Sequence, residues 1–385
     1  MLPRILYLDG LRGLLALVVF FHHFLYIYFP EVIFGGTYSE FSLNTGYSGL
    51  KWVALTPANL FFNPGFAIHF FFLLSGYVQT RTFYQSGNLL FIQRSLLKRY
   101  LRLALPVLCT VLLVFCAHKF QLLRKELLPN NILNADWLKS LLPNTLSFPQ
   151  VFKEGLLSCF QRNSRYYQVL WTMPTELANS YLVLLLVLAL HQLRHQKLLV
   201  LVVMAIQFFI LKEYYSIAFI TGMLLARLNA EETRFAFFCK KIWAKLLFLL
   251  VGLYFCSYPF TGFQGAVLHS IYAPISFFET YPHIISYFVG TTFLFLFLLY
   301  SGRLQNFLSL NVFLFYGRIS FMLYLLHFLV LLTVTPLLEQ ALHNLLLSFI
   351  STLVFSTALA WLFTKYIDEP AVRLSNGWAQ LFIKK

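Results

Sequence analysis

The 385-residue sequence predicts an all-α fold: a polytopic transmembrane helical bundle of about ten spans with both termini cytoplasmic. Three observations predict it. The chain is 59% hydrophobic and only 11% charged, with a mean hydropathy of +0.72, whereas a soluble domain is about 25% charged. Apolar runs of roughly the length that crosses a bilayer recur along the whole chain, near 11–29, 61–80, 102–118, 170–190, 197–211, 214–228, 244–260, 283–301, 318–336 and 346–366. With the N-terminus inside, most of the 29 Lys and Arg residues fall on inner segments and the exceptions gather in 119–168, as the positive-inside rule requires.

These runs form one transmembrane domain over 1–370, with outer loops 30–60 and 119–168 and a cytoplasmic tail over 371–385. Turn signals mark the loops: Gly35-Gly36, Gly46 and Gly49 in the first, Pro129-Asn130-Asn131, Pro143-Asn144 and Pro149 in the second. The formal charge of +15 belongs to inner loops, so no nucleic-acid partner is expected; the bilayer is the partner. The first apolar run carries Arg12 and lacks a small-residue cleavage site, so it is expected to be retained. The five cysteines show no CxxC and no clustering with histidine, so neither a disulfide framework nor a metal site is expected.

The first span sets the theme. It runs from Leu8-Asp9-Gly10-Leu11-Arg12-Gly13 to His22-His23. Ionisable groups at membrane depth are costly and normally face a protein interior or a wet cavity. Arg12 and His23 lie about three helical turns apart on one face, roughly 16 Å along the axis, while His22 points elsewhere. The second span holds His69, Ser75, Gly76 and Tyr77. Ser75-Gly76 suits close helix approach. His69, on the face of Gly76, is either a site residue or a buried, hydrogen-bonded histidine. Next comes the densest basic run, Arg94, Lys98, Arg99 and Arg102. It reads either as a loop on lipid headgroups or as a phosphate-binding patch at a cavity mouth.

The fourth span opens Trp171-Thr172-Met173-Pro174-Thr175-Glu176. Glu176, Asn179 and Ser180 share a face near the outer end, and an intramembrane carboxylate marks either function or pairing with an arginine. The fifth and sixth runs are short and broken at Lys212-Glu213; they form two spans or one re-entrant feature. The ninth carries Arg318 at its inner boundary, where it can snorkel. Ser320, Tyr324 and His327 follow at i, i+4 and i+7, one face that lines a cavity or forms an interhelical cluster. The last span ends at Asp368-Glu369-Pro370.

Taken together, these segments resemble acyltransferase family 3, the integral-membrane O-acyltransferases that include acetylases of bacterial surface polysaccharides. The resemblance rests on LDGLRG with His23, FFFLLSGY, KRYLRLALP, WTMPTE, YGRISFMLYLLH and the closing DEP, in that order from Leu8 to Pro370. It implies ten core helices, an acyl-CoA donor (acetyl-CoA foremost) on the cytoplasmic side and a carbohydrate or glycolipid acceptor from the other. It further implies a bacterial inner membrane. By motif position, Arg12 and His23 match the family's first-helix Arg and His, Arg99 and Arg102 its basic residues after the second helix, and Glu176 its W-S/T-x-x-x-E carboxylate. The chain departs from the family at His69, where many members have an acidic residue, at Tyr77, where many have Phe, and at the DEP.

The expected mechanism follows from what acyl transfer needs: a base, charge stabilisation and a placed donor. His23 is the expected base, since imidazole titrates near working pH, with Arg12 and Glu176 beside it in the catalytic set. Arg99 and Arg102, with Lys98 and Arg318, are expected to hold the donor. His69, Ser75, Tyr324 and His327 are expected to line the substrate cavity. No metal is expected. No GxSxG nucleophile motif is present, which favours direct transfer. The rival is a proton-coupled transporter using Arg12, His23, Glu176 and His327 as a relay. The lack of paired broken half-sequences weighs against it.

Overall fold

The structure, a computed structural model of the chain, describes residues 5–29, 32–33, 53–123, 146–161, 166–193, 195–231, 234–259, 267–276 and 282–383. Among them every regular element is helical. In chain order these are α1 (Leu6–Tyr28), α2 (Pro64–Ser86), α3 (Leu90–Lys119), α4 (Phe148–Leu156), α5 (Thr172–Leu190), α6 (Gln196–Ala205), α7 (Tyr214–Ala230), α8 (Arg234–Lys240) and α9 (Ile242–Cys256). There follow α10 (Pro282–Tyr300), α11 (Gly302–Leu308), α12 (Asn311–Thr333), α13 (Thr335–Leu342), α14 (Leu345–Phe363) and α15 (Glu369–Phe382).

Each apolar run of the sequence becomes helical, but the runs near 197–211 and 244–260 form shorter helices, α6 and α9. By length and composition, six helical stretches among the described residues can cross a membrane: Leu6–Tyr28, Leu90–Lys119, Gln168–Leu190, His283–Tyr300, Asn311–Thr333 and Leu345–Phe382. Helix α2 is as long as α1 but more polar, because it carries His69, Ser75, Gln79, Thr80 and Arg81 into the interior. The fifth and sixth runs are separate helices. A π-helical turn, Ile206–Ile210, extends α6, and Lys212, at φ 54°, reverses the chain into α7.

Glycine contacts fix the core. A Cβ on Gly76 of α2 would collide with the Phe219 carbonyl of α7, and one on Gly222 of α7 with the Leu73 carbonyl of α2. Gly13 of α1 meets Gly317 of α12 in the same way. Such backbone-to-backbone approach drives association where lipid offers no hydrophobic contrast between helix and solvent. These are the two most extensive helix pairs, so Ser75-Gly76 does pack a helix, and Gly13 docks the first helix against the ninth span.

Three boundaries differ from the sequence expectation. The third span starts at Leu90, not near 102: the last break is at Gly87, left-handed at φ 68°, and no breaker follows before the basic residues. The basic run is therefore the first turns of a helix rather than a loop, and α3 continues through Pro106. Pro149 does not mark a turn; it is the second residue of α4, which Ser147 and Gln150 open with a reciprocal capping box. Residues 371–382, taken as tail, continue α15, which packs along α3. The glycines of the first outer loop and Pro129, Asn130, Asn131, Pro143 and Asn144 of the second lie outside the described residues.

Candidate active site

One end of the bundle holds a cavity of about 480 Å³, within the range of small-molecule sites. Its walls come from α1, α2, α3, α5, α12 and the α14–α15 junction, and its polar lining is chiefly guanidinium and carboxylate. Each guanidinium faces a carboxylate that lines the cavity too: Arg12 with Asp9 at 3.2 Å, Arg99 with Glu176, Arg102 with Asp368, and Arg318 with Glu369 at 2.5 Å. Pairing is what allows charge at this depth, since an isolated buried ion is far costlier than a partnered one.

Glu176 is the most connected of these groups. Besides Arg99, it accepts from the Ser75 hydroxyl at 2.7 Å. Arg99 Nε also donates to Ser180 Oγ at 2.8 Å, and Gln79 donates to the same oxygen at 3.0 Å. The i, i+4 stripe on α5 is thus the anchor of Arg99. Glu176 lies in the first turns of α5. The segment before α5 dips into the bundle, with the Val169 carbonyl accepting from Tyr324 Oη at 2.7 Å and Tyr167 Oη from the Leu329 amide at 2.9 Å. The short 3-10 turn Gln168–Trp171 is tolerated inside the bundle because protein groups satisfy its polar atoms. Helix α5 consequently starts against the middle of α12.

Asp368 reaches the cavity from a π-helical turn, Thr364–Asp368, that joins α14 to α15. The wider turn presents Thr364 and Asp368 to the cavity, and π turns often sit at functional places in helices. Arg102 binds Asp368 in fork geometry, its second bond 3.1 Å long, and lies 5.3 Å from the Phe321 ring centre.

The cavity's inner wall includes Ser320, Thr172, Met173 and Tyr324. Tyr324 is held by Val169 and by Thr172 Oγ1 at 2.8 Å, and its ring centre lies 6.0 Å from that of His327. There the second polar group begins. His327 Nε2 is 3.2 Å from His23 Nδ1, with ring centres 4.9 Å apart. His327 Nδ1 contacts the carbonyls of Leu323 at 3.0 Å and Tyr324 at 2.7 Å. His23 Nδ1 contacts the Val19 carbonyl at 2.9 Å.

With both rings taken as neutral imidazoles, these contacts assign the hydrogens. Carbonyl oxygens only accept, so Nδ1 of His327 carries its hydrogen and Nε2 bears a lone pair. His23 Nδ1 faces two acceptors, Val19 O and His327 Nε2, so it too carries the hydrogen. The lone pair of His23 is on Nε2. Phe328 packs 5.3 Å from His23 and Phe20 packs 6.4 Å from His327.

Of the residues singled out in the sequence, Arg12, Ser75, Arg99, Arg102, Glu176, Arg318, Ser320 and Tyr324 line this cavity. His23 and His327 meet each other behind it. His22 turns to the Phe62 carbonyl at 3.1 Å, as helical phase required. Lys98 is not in the lining and reaches Asn376 of α15 at 3.5 Å. His69 is outside as well, buried with Nδ1 on the Gly65 carbonyl at 2.8 Å and rings of Tyr215 and Tyr287 about it. Asp9, Asp368 and Glu369 are the cavity residues that the sequence did not single out as partners. The available signal was charge bookkeeping: carboxylates are scarce here, and each one near an arginine-bearing apolar run needs a cation.

A family profile described as an acyltransferase domain, that of acyltransferase family 3, matches residues 5–365. No curated protein and no solved structure matches the chain.

Proposed function

The chain belongs to acyltransferase family 3, and from that premise we propose that it moves an acyl group, acetyl foremost, from cytoplasmic acyl-CoA to a hydroxyl of a carbohydrate or glycolipid. The observation that carries the proposal is the adjacency of two features. A guanidinium-lined cavity ends on Tyr324, and the His327–His23 pair follows immediately behind.

The two features divide the work. Guanidinium forks match phosphate oxygens, and the residues around this cavity fit a phosphate-bearing donor. Arg102 and Arg318, at 27% and 56% side-chain exposure, meet its phosphates. Arg99, locked by Glu176, Ser75 and Ser180 as a unit, fixes the cavity wall. His23 is the general base. Its Nε2 takes the acceptor's hydroxyl proton as the oxygen bonds to the thioester carbonyl carbon, then returns that proton to the departing thiolate as the C–S bond breaks. Direct transfer of this kind leaves no acyl group on the protein. In this reading the cavity mouth opens to the cytoplasm, the side that the positive-inside rule gives to the Lys- and Arg-rich segments; the membrane is taken as a bacterial inner membrane from the family resemblance, and the acceptor arrives from the opposite end.

The test uses the purified full-length protein with radiolabelled acetyl-CoA, alone and with mixed bacterial oligosaccharides. Wild type is expected to consume the donor, and His23→Ala to bind it but consume it at only a small residual rate. Consumption by His23→Ala at the wild-type rate would remove His23 from catalysis. Unchanged donor affinity in the Arg102→Ala/Arg318→Ala variant would remove the cavity from donor binding.

A further inference from the structure

We propose that His327 is a positioning residue for His23: it fixes which nitrogen acts as the base, and it shares the charge formed when that nitrogen takes a proton. The inference rests on the reading of His23 as the base and goes beyond it.

The geometry carries the argument. His327 stands on α12 and His23 on α1, two helices locked together at Gly13 and Gly317. Side chains on such paired helices are held more tightly than side chains on loops. The Val19 carbonyl, one turn back on α1, gives His23 Nδ1 one acceptor at 2.9 Å. His327 Nε2 at 3.2 Å supplies a second acceptor. That acceptor is itself fixed, because both contacts of His327 Nδ1 are carbonyls of its own helix. The chain of hydrogens therefore runs one way, from His23 Nδ1–H to His327 Nε2 and from His327 Nδ1–H to α12.

The chemistry explains why the partner is an imidazole. In the familiar catalytic triad a carboxylate holds the base histidine and stabilises the imidazolium. A carboxylate here would stand among Phe20, Phe328 and Tyr324, an uncompensated ion in apolar surroundings. A neutral imidazole accepts the same hydrogen bond without a resting charge. When His23 Nε2 gains the hydroxyl proton, the ring becomes a cation and its Nδ1–H bond to His327 becomes charge-assisted and stronger. No proton leaves His23 toward His327 in this step. The proton on Nε2 goes to the thiolate and the dyad returns to its starting tautomers.

The experiment is steady-state kinetics of acetyl-CoA consumption on purified full-length variants. His327→Leu is expected to lower kcat about 10- to 100-fold, the scale of a lost hydrogen bond to a charged group, with donor KM unchanged. His327→Gln, whose Oε1 can take the place of Nε2 as acceptor, is expected to restore most of the rate. In a His23→Ala background, His327→Leu is expected to cost nothing more, since residues acting as one unit are not additive. Wild-type kcat in His327→Leu, equal loss in the Gln and Leu variants, or the same fold-loss in both backgrounds would each overturn the proposal while His23 stays the base. Full activity of His23→Ala is a different result and would instead overturn the function proposed above. If His327→Leu does not fold, nitrogen NMR of isotope-labelled histidines in the wild type decides. His23 hydrogen on Nδ1 supports the proposal, and hydrogen on Nε2 overturns it.

Discussion

Two polar regions lie next to each other inside an apolar bundle, and they are built on opposite principles. The cavity is a place of full charges, each guanidinium against a carboxylate. The histidine pair is walled by aromatic rings and tied to helix carbonyls, with no carboxylate among the contacts described for it. The contrast teaches how a membrane fold can hold both a highly charged ligand site and a base of moderate strength. Ions are kept where a cavity and partners lower their cost. The base is kept where its proton position can be set by hydrogen bonds alone. Tyr324 is the shared wall: its hydroxyl is held by Thr172 and Val169 on one side, and its ring stands beside His327 on the other.

The contrast would be broken most directly by removing the base. His23→Gln is expected to lower kcat by about 10²- to 10⁴-fold, the usual contribution of a general base, while donor affinity measured by calorimetry stays at its wild-type value. A variant that lost donor binding in proportion to rate would show that the two regions are one site and not two.

The next effect falls on stability rather than turnover. Arg99 and Glu176 are the most enclosed ion pair, at 18% and 13% side-chain exposure. Arg99→Ala strands Glu176 and is expected to cost about 3–5 kcal/mol of stability. The Arg99→Ala/Glu176→Ala double variant is expected to be less damaged than the sum of the two single changes, because it leaves no orphan ion. Thermal unfolding in detergent measures all three. Additive losses would mean the pair contributes through separate packing contacts and not through charge.

Asp368 offers a smaller and opposite-signed effect. Its carboxylate occupies the Arg102 fork that the proposed function gives to phosphate. Asp368→Asn gives up a charge-assisted bond, worth roughly 1.5–3 kcal/mol of stability, yet frees that fork. Donor affinity is expected to rise a few-fold even as the unfolding temperature falls. A fall in both would make Asp368 a scaffold of the donor site rather than a competitor for it.

Much of this was legible in the sequence, and the reason is geometric. Helical phase depends only on spacing, so Arg12 and His23 could be put on one face and His22 on another from the chain alone, and Ser320, Tyr324 and His327 likewise. Apolar run length located the long helices. What spacing cannot carry is partnership across the fold. Arg102 and Asp368 are 266 residues apart and His23 and His327 are 304 apart, so their meeting depends on which helices pack. Glu176 was legible as a carboxylate in an apolar span, but its bonds to Ser75 and Arg99 were not, because they cross from α5 to α2 and α3. His69 had the same signal as His23, a histidine in an apolar span, and differs only in what surrounds it. Residues 371–385 were set apart as a tail because they follow the last long apolar run; 371–382 are helical and pack along α3.

Arg318 and Glu369 give the gentlest test. They stand at 56% and 34% side-chain exposure, with Arg318 Nε 2.9 Å from the Glu369 carboxylate. Exposed pairs of this kind contribute about 0–1 kcal/mol, because water and salt compete for both partners. Arg318→Ala is therefore expected to leave the unfolding temperature nearly unchanged. Its effect belongs to the ligand. A guanidinium that is cheaply parted from its carboxylate is the one most ready to exchange it for a phosphate, so donor KM is expected to rise severalfold with kcat retained. The effect should shrink as salt is added, since charges at the mouth are screened over about 10 Å at moderate ionic strength. Measuring KM for acetyl-CoA across a salt series, in wild type and Arg318→Ala, separates the possibilities. A KM difference that persists at high salt would place Arg318 inside the desolvated part of the cavity, alongside Arg99. No difference at any salt would take it out of donor recognition and leave it as a clasp between α12 and α15.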